Sequence, residues 1–138
     1  LTKVTVMADS GTADCVLPVS YFKEIPANTT GPKMGMRYSA ANGKPIFNQG
    51  MKTLVGKTKE GHKKRIDFEV AEVNKPLAGL RRIAQKGHRI VLDDAEGNGG
   101  YIENKVTGER MGLYVENDVY KFDLWVDVGA SAGFARQG

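Results

Sequence analysis

The sequence predicts a mainly β domain, and three observations support this prediction. Several short segments alternate apolar and polar residues with a period of two, the pattern of strands that bury one face. Clusters of Gly, Asn, Asp and Pro separate these segments and indicate turns. One segment, residues 76–87, instead spaces its apolar side chains as a helix does and ends at a glycine. The expected fold therefore has many short strands and one short helix.

The elements follow from these patterns in chain order. Residues 3–8 and 15–18 are expected to be strands, and residues 25–35, with two prolines, a loop. A hairpin is expected at 36–40 and 44–47, because the Asn42-Gly43 turn between them suits two positions that need positive φ. A second hairpin follows at 51–55 and 65–73, and after the helix come strands at 89–92, 100–103, 110–115 and 119–128. Residues 129–138 are rich in Gly, Ala and Ser, which predicts a flexible linker or tail after a domain of residues 1–128.

Composition excludes several classes of protein. The chain has 138 residues, of which 41% are hydrophobic and 26% charged, values typical of one soluble globular domain. No apolar run approaches the ~18 residues that a membrane helix needs. A single cysteine, Cys15, cannot form a disulfide within the chain, so we expect a cytoplasmic protein. His62 and His88 lie too far apart for a metal-ligand motif, and we expect neither a metal nor a cofactor.

Charge is distributed unevenly along the chain. Residues 1–92 contain 16 basic and 7 acidic side chains, a net charge of +9, whereas residues 93–138 contain 4 and 9, a net charge of −5. Such asymmetry is found in nucleic-acid-binding surfaces, in surfaces that join two copies of a chain, and in ordinary solvated loops. The densest basic run predicts weak, non-specific contact with nucleic acid through Lys57, Lys59, Lys63, Lys64 and Arg65. No aromatic residue interrupts this run, so no platform for base stacking is expected.

Asp9-Ser10-Gly11 is the strongest candidate for chemistry. The carboxylate of Asp9 comes directly after a predicted apolar strand, and small residues and a second apolar strand follow it. An acid placed in this way is partly buried, which costs free energy unless a partner or a function compensates. The tripeptide by itself is also an ordinary turn sequence, and Asp9 as a plain turn residue remains an alternative.

Four segments together resemble the retropepsin-like aspartic proteases, in particular the protease region of copia-type retrotransposon polyproteins. They cover the active-site turn, the flap hairpin, the strand and apolar-Gly segment behind the turn, and the copia-type ending. These segments are Val6-Met7-Ala8-Asp9-Ser10-Gly11-Thr12-Ala13, residues 38–46, residues 68–73 with 75–80, and residues 84–92 with 100–102. The family usually has Ala where this chain has Thr12.

The resemblance implies a fold, a reaction and a set of site residues. The fold is a small closed β-barrel with a flap hairpin and one short helix. The reaction is hydrolysis of peptide bonds in a retrotransposon polyprotein by water that a pair of aspartates activates, without a metal or cofactor. The chain has one such motif, so the enzyme is expected to be a homodimer acting on an extended peptide. The implied catalytic residues are Asp9, Ser10 and Gly11, and the implied substrate-binding residues are Ala40, Ala41, Asn42, Gly43, Leu77 and Ala78.

In this interpretation the hydroxyl of Ser10 supports the dimer at its axis, and the carbonyl of Gly11 holds the substrate backbone. The missing initiator Met and the linker-like end are expected of a piece cut from a polyprotein. Two alternatives stay open: a catalytically silent scaffold with the same fold, and a basic nucleic-acid-binding β domain.

Overall fold

A computed structural model describes residues 1–39, 43–95 and 97–137 of the chain. The fold is mainly β, as the sequence predicts. The elements in these ranges are β1 Thr2–Asp9, β2 Val16–Pro18, β3 Arg37–Ser39, β4 Pro45–Phe47, β5 Met51–Lys57, β6 Lys63–Ala71, β7 Leu77–Gly79, α1 Leu80–Gln85, β8 His88–Ala95, β9 Asn98–Asn104, β10 Arg110–Gly112, β11 Tyr114–Glu116, β12 Val119–Val126 and α2 Val128–Gln137.

The largest sheet has seven strands in the order β1-β7-β2-β6-β5-β12-β11. β1 also pairs with β12, so the strand pairings return to the first strand, although the sheet does not form a clear barrel among the described residues. β1 and β7 are parallel, as are β2 and β6, and the other pairs are antiparallel. The short β7 thus lies between β1 and β2 and holds the two strands on either side of the Asp9 turn.

Two smaller sheets complete the described structure. β10, β9 and β8 form a three-stranded antiparallel sheet, with an irregularity between Leu92 and Ala95. β3 and β4 form a two-stranded hairpin, which confirms the pairing that the Asn-Gly turn predicts. Gly43 has a φ of 78°, the positive value that this turn requires, and residues 40–42 lie outside the described residues.

The core lies on the inner face of the large sheet. The period-2 alternation points Val4 and Val6 of β1 inward, where they meet Leu54, Phe68 and Phe122, all of them at most 3% exposed. Burial of each such side chain contributes about 1.5–3 kcal/mol to the stability of the fold. The three-stranded sheet and the segment after it add Ile102, Met111 and Leu113 to the same core. One continuous core therefore supports the turn that carries Asp9.

The helix expected at residues 76–87 is shorter than predicted. Leu77–Gly79 is strand β7, and α1 begins only at Leu80. Leu77 and Ala78 pair with Met7 and Ala8 of β1, so backbone hydrogen bonding to a buried strand overrides the helical spacing of the side chains.

The end of the chain also differs from expectation. We expected a linker at 129–138, but the structure contains a second helix, α2, so the expectation of a single short helix is wrong. The side chain of Asp127 caps this helix by accepting a hydrogen bond from Ala130 N at 2.9 Å. The small Ser131 is fully buried, and its hydroxyl oxygen accepts from Val55 N at 2.8 Å. The Gly, Ala and Ser residues that suggested flexibility instead allow close packing on β5. No helix among the described residues is long and apolar enough to cross a membrane.

Candidate active site

Asp9 is the last residue of β1, and its own turn fixes the orientation of its carboxylate. Oδ1 accepts a hydrogen bond from Gly11 N at 2.7 Å, and Oδ2 accepts one from the Thr12 hydroxyl at 2.8 Å. The side chain is half-buried, whereas Ser10 and Gly11 are exposed. Because each carboxylate oxygen accepts a hydrogen bond, the side chain is held in one orientation. Each oxygen still has a free lone pair that can accept a further hydrogen bond.

Close packing behind the turn requires a glycine at position 79. Gly79 pairs with Asp9 in the parallel register of β7 and β1. A Cβ atom on Gly79 would lie 2.6 Å from the carbonyl oxygen of Thr12 and 2.8 Å from that of Asp14. Both carbonyls belong to backbone that cannot move independently of the Asp9 turn. β7 therefore sets the position of this turn through backbone contact.

Gly11 is constrained by the carboxylate itself, because a Cβ atom there would lie 3.3 Å from Asp9 Oδ1. Leu77 is half-buried, and Ala78 is 1% exposed and belongs to the core. The structure thus brings Asp9, Ser10 and Gly11 together in one turn, and Ala78 is buried on β7 opposite Ala8 of β1. Of the four flap residues expected to bind substrate, Gly43 is exposed, and Ala40, Ala41 and Asn42 lie outside the described residues.

Asp14 forms a second acidic centre that sequence reasoning did not identify. It is 4% exposed, forms an ion pair with Lys33, and accepts two hydrogen bonds from Arg82, at 2.8 Å from Nη2 and 3.2 Å from Nε. Burial by itself raises the pKa of this carboxyl, but the hydrogen bonds and charges of Lys33 and Arg82 outweigh burial and lower it. Asp14 is therefore a carboxylate already neutralised by two cations of its own chain. Its partners lie 19 and 68 residues away, so no local pattern predicts them.

A chain of polar contacts joins the β3–β4 hairpin to Asp14. The buried Asn48 side chain donates to Tyr38 Oη at 3.0 Å and to Glu69 Oε1 at 2.8 Å, and it accepts from Gly50 N at 2.8 Å. Tyr38 Oη in turn lies 3.4 Å from Asp14 Oδ2. Burial raises the pKa of the Tyr38 hydroxyl, the hydrogen bond from Asn48 opposes this, and the charges of Asp14 and Glu69 raise it further. The base of the hairpin is thus fixed to the loop that follows the Asp9 turn.

A cavity of about 420 Å³ lies beside Asp14. Its lining includes Asp14, Arg82 and the apolar side chains of Ile66, Ile83 and Phe122, but not Asp9, Ser10 or Gly11. The candidate catalytic turn therefore lies outside this cavity.

The basic run divides between different environments. Lys64 forms an ion pair with Glu109 at 2.9 Å, and the Arg65 guanidinium lies 4.7 Å from the centre of the Phe134 ring. Lys57 and Lys63 are exposed and lie directly opposite each other on β5 and β6. Lys59 is exposed in the turn between these strands. The run is therefore not one continuous surface.

Cys15 is buried, and burial raises the pKa of its thiol, so it is a core residue. The described residues contain no group of three or more His, Cys, Asp or Glu side chains that could hold a metal ion.

The candidate site at Asp9 is an oriented carboxylate in an exposed turn that packs against β7. Comparison of the chain with protein-family models, with curated proteins and with solved structures found no match in any of the three.

Proposed function

We propose that this chain is half of a retropepsin-type aspartic endopeptidase, which acts as a homodimer on peptide bonds of a retrotransposon polyprotein. One observation carries the proposal: the carboxylate of Asp9 is held by Gly11 N and the Thr12 hydroxyl in a turn that packs against Gly79. An ordinary surface turn does not need a buried strand directly behind it. The placement of β7 beside both β1 and β2 supports a retropepsin-like arrangement of strands behind the turn.

The proposed reaction needs two carboxylates. Like charges ~3 Å apart cannot both be ionised, so such a pair shares one proton and can act as base and acid in the same site. Asp14 does not serve as the second carboxylate, because Lys33 and Arg82 already neutralise it. As the resemblance implies, we propose that the second carboxylate is Asp9 of another copy, related by a twofold axis.

The chemistry then proceeds in balanced steps. The ionised carboxylate removes a proton from water, whose oxygen bonds to the scissile carbonyl carbon. The protonated carboxylate meanwhile donates its proton to that carbonyl's oxygen. When the C–N bond breaks, the amide nitrogen takes the one proton held by the pair and leaves as an amine, while a hydroxyl group of the tetrahedral intermediate gives its proton to the other carboxylate as it becomes a carbonyl. The other product is a carboxylic acid, and the pair again shares one proton.

The substrate is proposed to bind as an extended strand beneath the β3–β4 hairpin. Strand addition supplies main-chain hydrogen bonds that do not depend on side-chain identity. The contacts of Asn48 with Tyr38 and Glu69 hold the base of this hairpin in place.

The direct test compares two Asp→Asn variants in a cleavage assay with a peptide library and with the parent polyprotein. Asp9→Asn is expected to abolish cleavage, because the amide cannot act as a base, while the circular dichroism spectrum stays that of the wild type. Asp118→Asn is the matched control, since Asp118 is exposed and its φ of 63° suits Asn equally well. Cleavage that persists in Asp9→Asn, or a wild-type chain that folds but cleaves neither substrate, would overturn the proposal.

A further inference from the structure

Four directly paired residues form a row across the large sheet. Lys3 on β1 lies opposite Trp125 on β12, Trp125 lies opposite Lys57 on β5, and Lys57 lies opposite Lys63 on β6. Residues paired in this way project from the same face of a sheet. The sequence neighbours Val4, Leu124 and Val126 are buried in the core, so the row lies on the outer face. We call these four residues the Lys–Trp row.

The charge of the row is not neutralised by ion pairs. Lys3, Lys57 and Lys63 are exposed, and the salt bridges of the described residues do not include them. Like charges directly opposite each other, such as Lys57 and Lys63, destabilise a strand pair. An anionic ligand beside Lys57 and Lys63 would reduce the repulsion between them, which would strengthen its binding.

Three acids lie near the row. Asp127, two residues after Trp125, is exposed, and its Oδ1 accepts a hydrogen bond from Ala130 N at 2.9 Å. Asp123 shares the outer face of β12, and its Oδ1 accepts hydrogen bonds from the hydroxyls of Thr5, at 2.7 Å, and Tyr114, at 2.8 Å. Glu24 lines a shallow cleft together with Lys3. None of the three acids forms a salt bridge with a lysine of the row among the described residues.

Aromatic rings accompany these cations. Trp125 is partly exposed between Lys3 and Lys57, which the strand spacing places roughly 10 Å apart at their backbones. Two residues beyond Lys63, Arg65 lies over the ring of Phe134, which is itself 36% exposed. The basic run contains no aromatic residue in sequence, but the sheet register and α2 bring two beside it.

We propose that the Lys–Trp row binds single-stranded nucleic acid, with a base stacked on Trp125 and the neighbouring phosphates bound by the lysines. An aromatic ring between cations on an exposed sheet face is the arrangement that such strands use, because every base has a flat face and every nucleotide a phosphate. A duplex hides its base faces and cannot stack in this way.

The row is separate from the proposed catalytic turn. Lys3 and Asp9 lie six residues apart on β1, which corresponds to roughly 20 Å. The inference therefore does not depend on the protease activity, and a chain with no activity could still bind nucleic acid here.

The test is a titration of the full chain with an oligouridylate of about 12 nucleotides. Trp125 is the chain's one tryptophan, so its fluorescence reports stacking directly, and the anisotropy of a labelled oligonucleotide reports affinity. Binding is expected to quench the tryptophan and to weaken with salt. Trp125→Leu is expected to lower affinity about 5- to 100-fold, and Trp125→Phe to retain most of it.

The contribution of the lysines to binding is tested by substituting exposed residues, because such substitutions do not disturb the core. Lys57→Gln with Lys63→Gln is expected to reduce the slope of log K against log salt by about 1.4, or roughly 0.7 for each phosphate that a lysine no longer neutralises. Lys75→Gln with Lys105→Gln makes the same charge change at exposed lysines outside these four strands. Any of three results would overturn the proposal. The control pair could reduce the salt slope equally, duplex RNA could bind as tightly as the single strand, or the oligonucleotide could bind without quenching the tryptophan.

Discussion

Gly79 shows how a single residue positions the candidate catalytic carboxylate. It has no side chain, and the carbonyl oxygens of Thr12 and Asp14 occupy the space in which a Cβ atom would lie. The Asp9 turn was predictable from the sequence, because an acid between an apolar strand and a glycine is a local pattern. The packing of Gly79 against this turn was not predictable, since Gly79 lies 70 residues from Asp9 and the sequence placed it in a helix.

Gly79→Ala is expected to destabilise the fold by about 1–3 kcal/mol, because the new methyl group would overlap backbone that cannot move freely. Urea unfolding measures this change. Gly31→Ala is the matched control, since nothing lies within 4 Å of its added Cβ, and we expect it to change stability by less than about 1 kcal/mol. Equal effects of the two substitutions would show that β7 does not pack against the turn as described.

Several elements meet at Asp14. Lys33 comes from the loop before β3, Tyr38 from β3, and Arg82 from α1, so one buried carboxylate connects the hairpin, the helix and the loop after the Asp9 turn. Strand β1 was predictable from its alternation of apolar residues, and the β3–β4 hairpin from its Asn-Gly turn, whereas β7 was expected to be part of a helix. The Asp14 cluster was not, because its members share no spacing and meet only after the strands have paired.

Stability should depend on pH through Asp14. Its pKa is lowered in the folded chain, so the stabilisation is fully present above the ordinary aspartate value of about 4 and is lost as pH falls below it. Asp14→Asn is expected to cost about 3 kcal/mol at pH 7, because it leaves Lys33 and Arg82 without their counter-charge.

Urea unfolding of both proteins at pH 7 and pH 3 measures this effect. The difference between wild type and Asp14→Asn should narrow at pH 3, because the Asp14 carboxyl of the unfolded wild-type chain is then largely protonated and folding must release that proton. Asp94→Asn, at an exposed position, serves as the control and should show little change at either pH. A difference that stays constant between the two pH values would contradict the proposed role of the Asp14 charge.

At the scale of the whole molecule, the Asp9 turn and the Lys–Trp row lie on different parts of the described surface. Asp9 lies at one end of β1, and the Lys–Trp row crosses the other end. The charge asymmetry of the sequence indicated a basic surface, but only the strand register selects Lys3, Lys57 and Lys63 from the many basic residues. Likewise, the composition of residues 128–137 did not predict helix α2, because its small side chains favour a helix only where they pack against β5.

A mixing experiment shows whether two copies of Asp9 form one active site. A constant, low concentration of wild-type chain is titrated with Asp9→Asn chain, and peptide cleavage is measured after subunit exchange. If each active site needs Asp9 from both copies, an excess of the variant captures the wild-type chains in inactive heterodimers. Cleavage should then fall towards zero, while an excess of Asp118→Asn should not reduce it. Cleavage that stays constant under a large excess of Asp9→Asn would contradict the account.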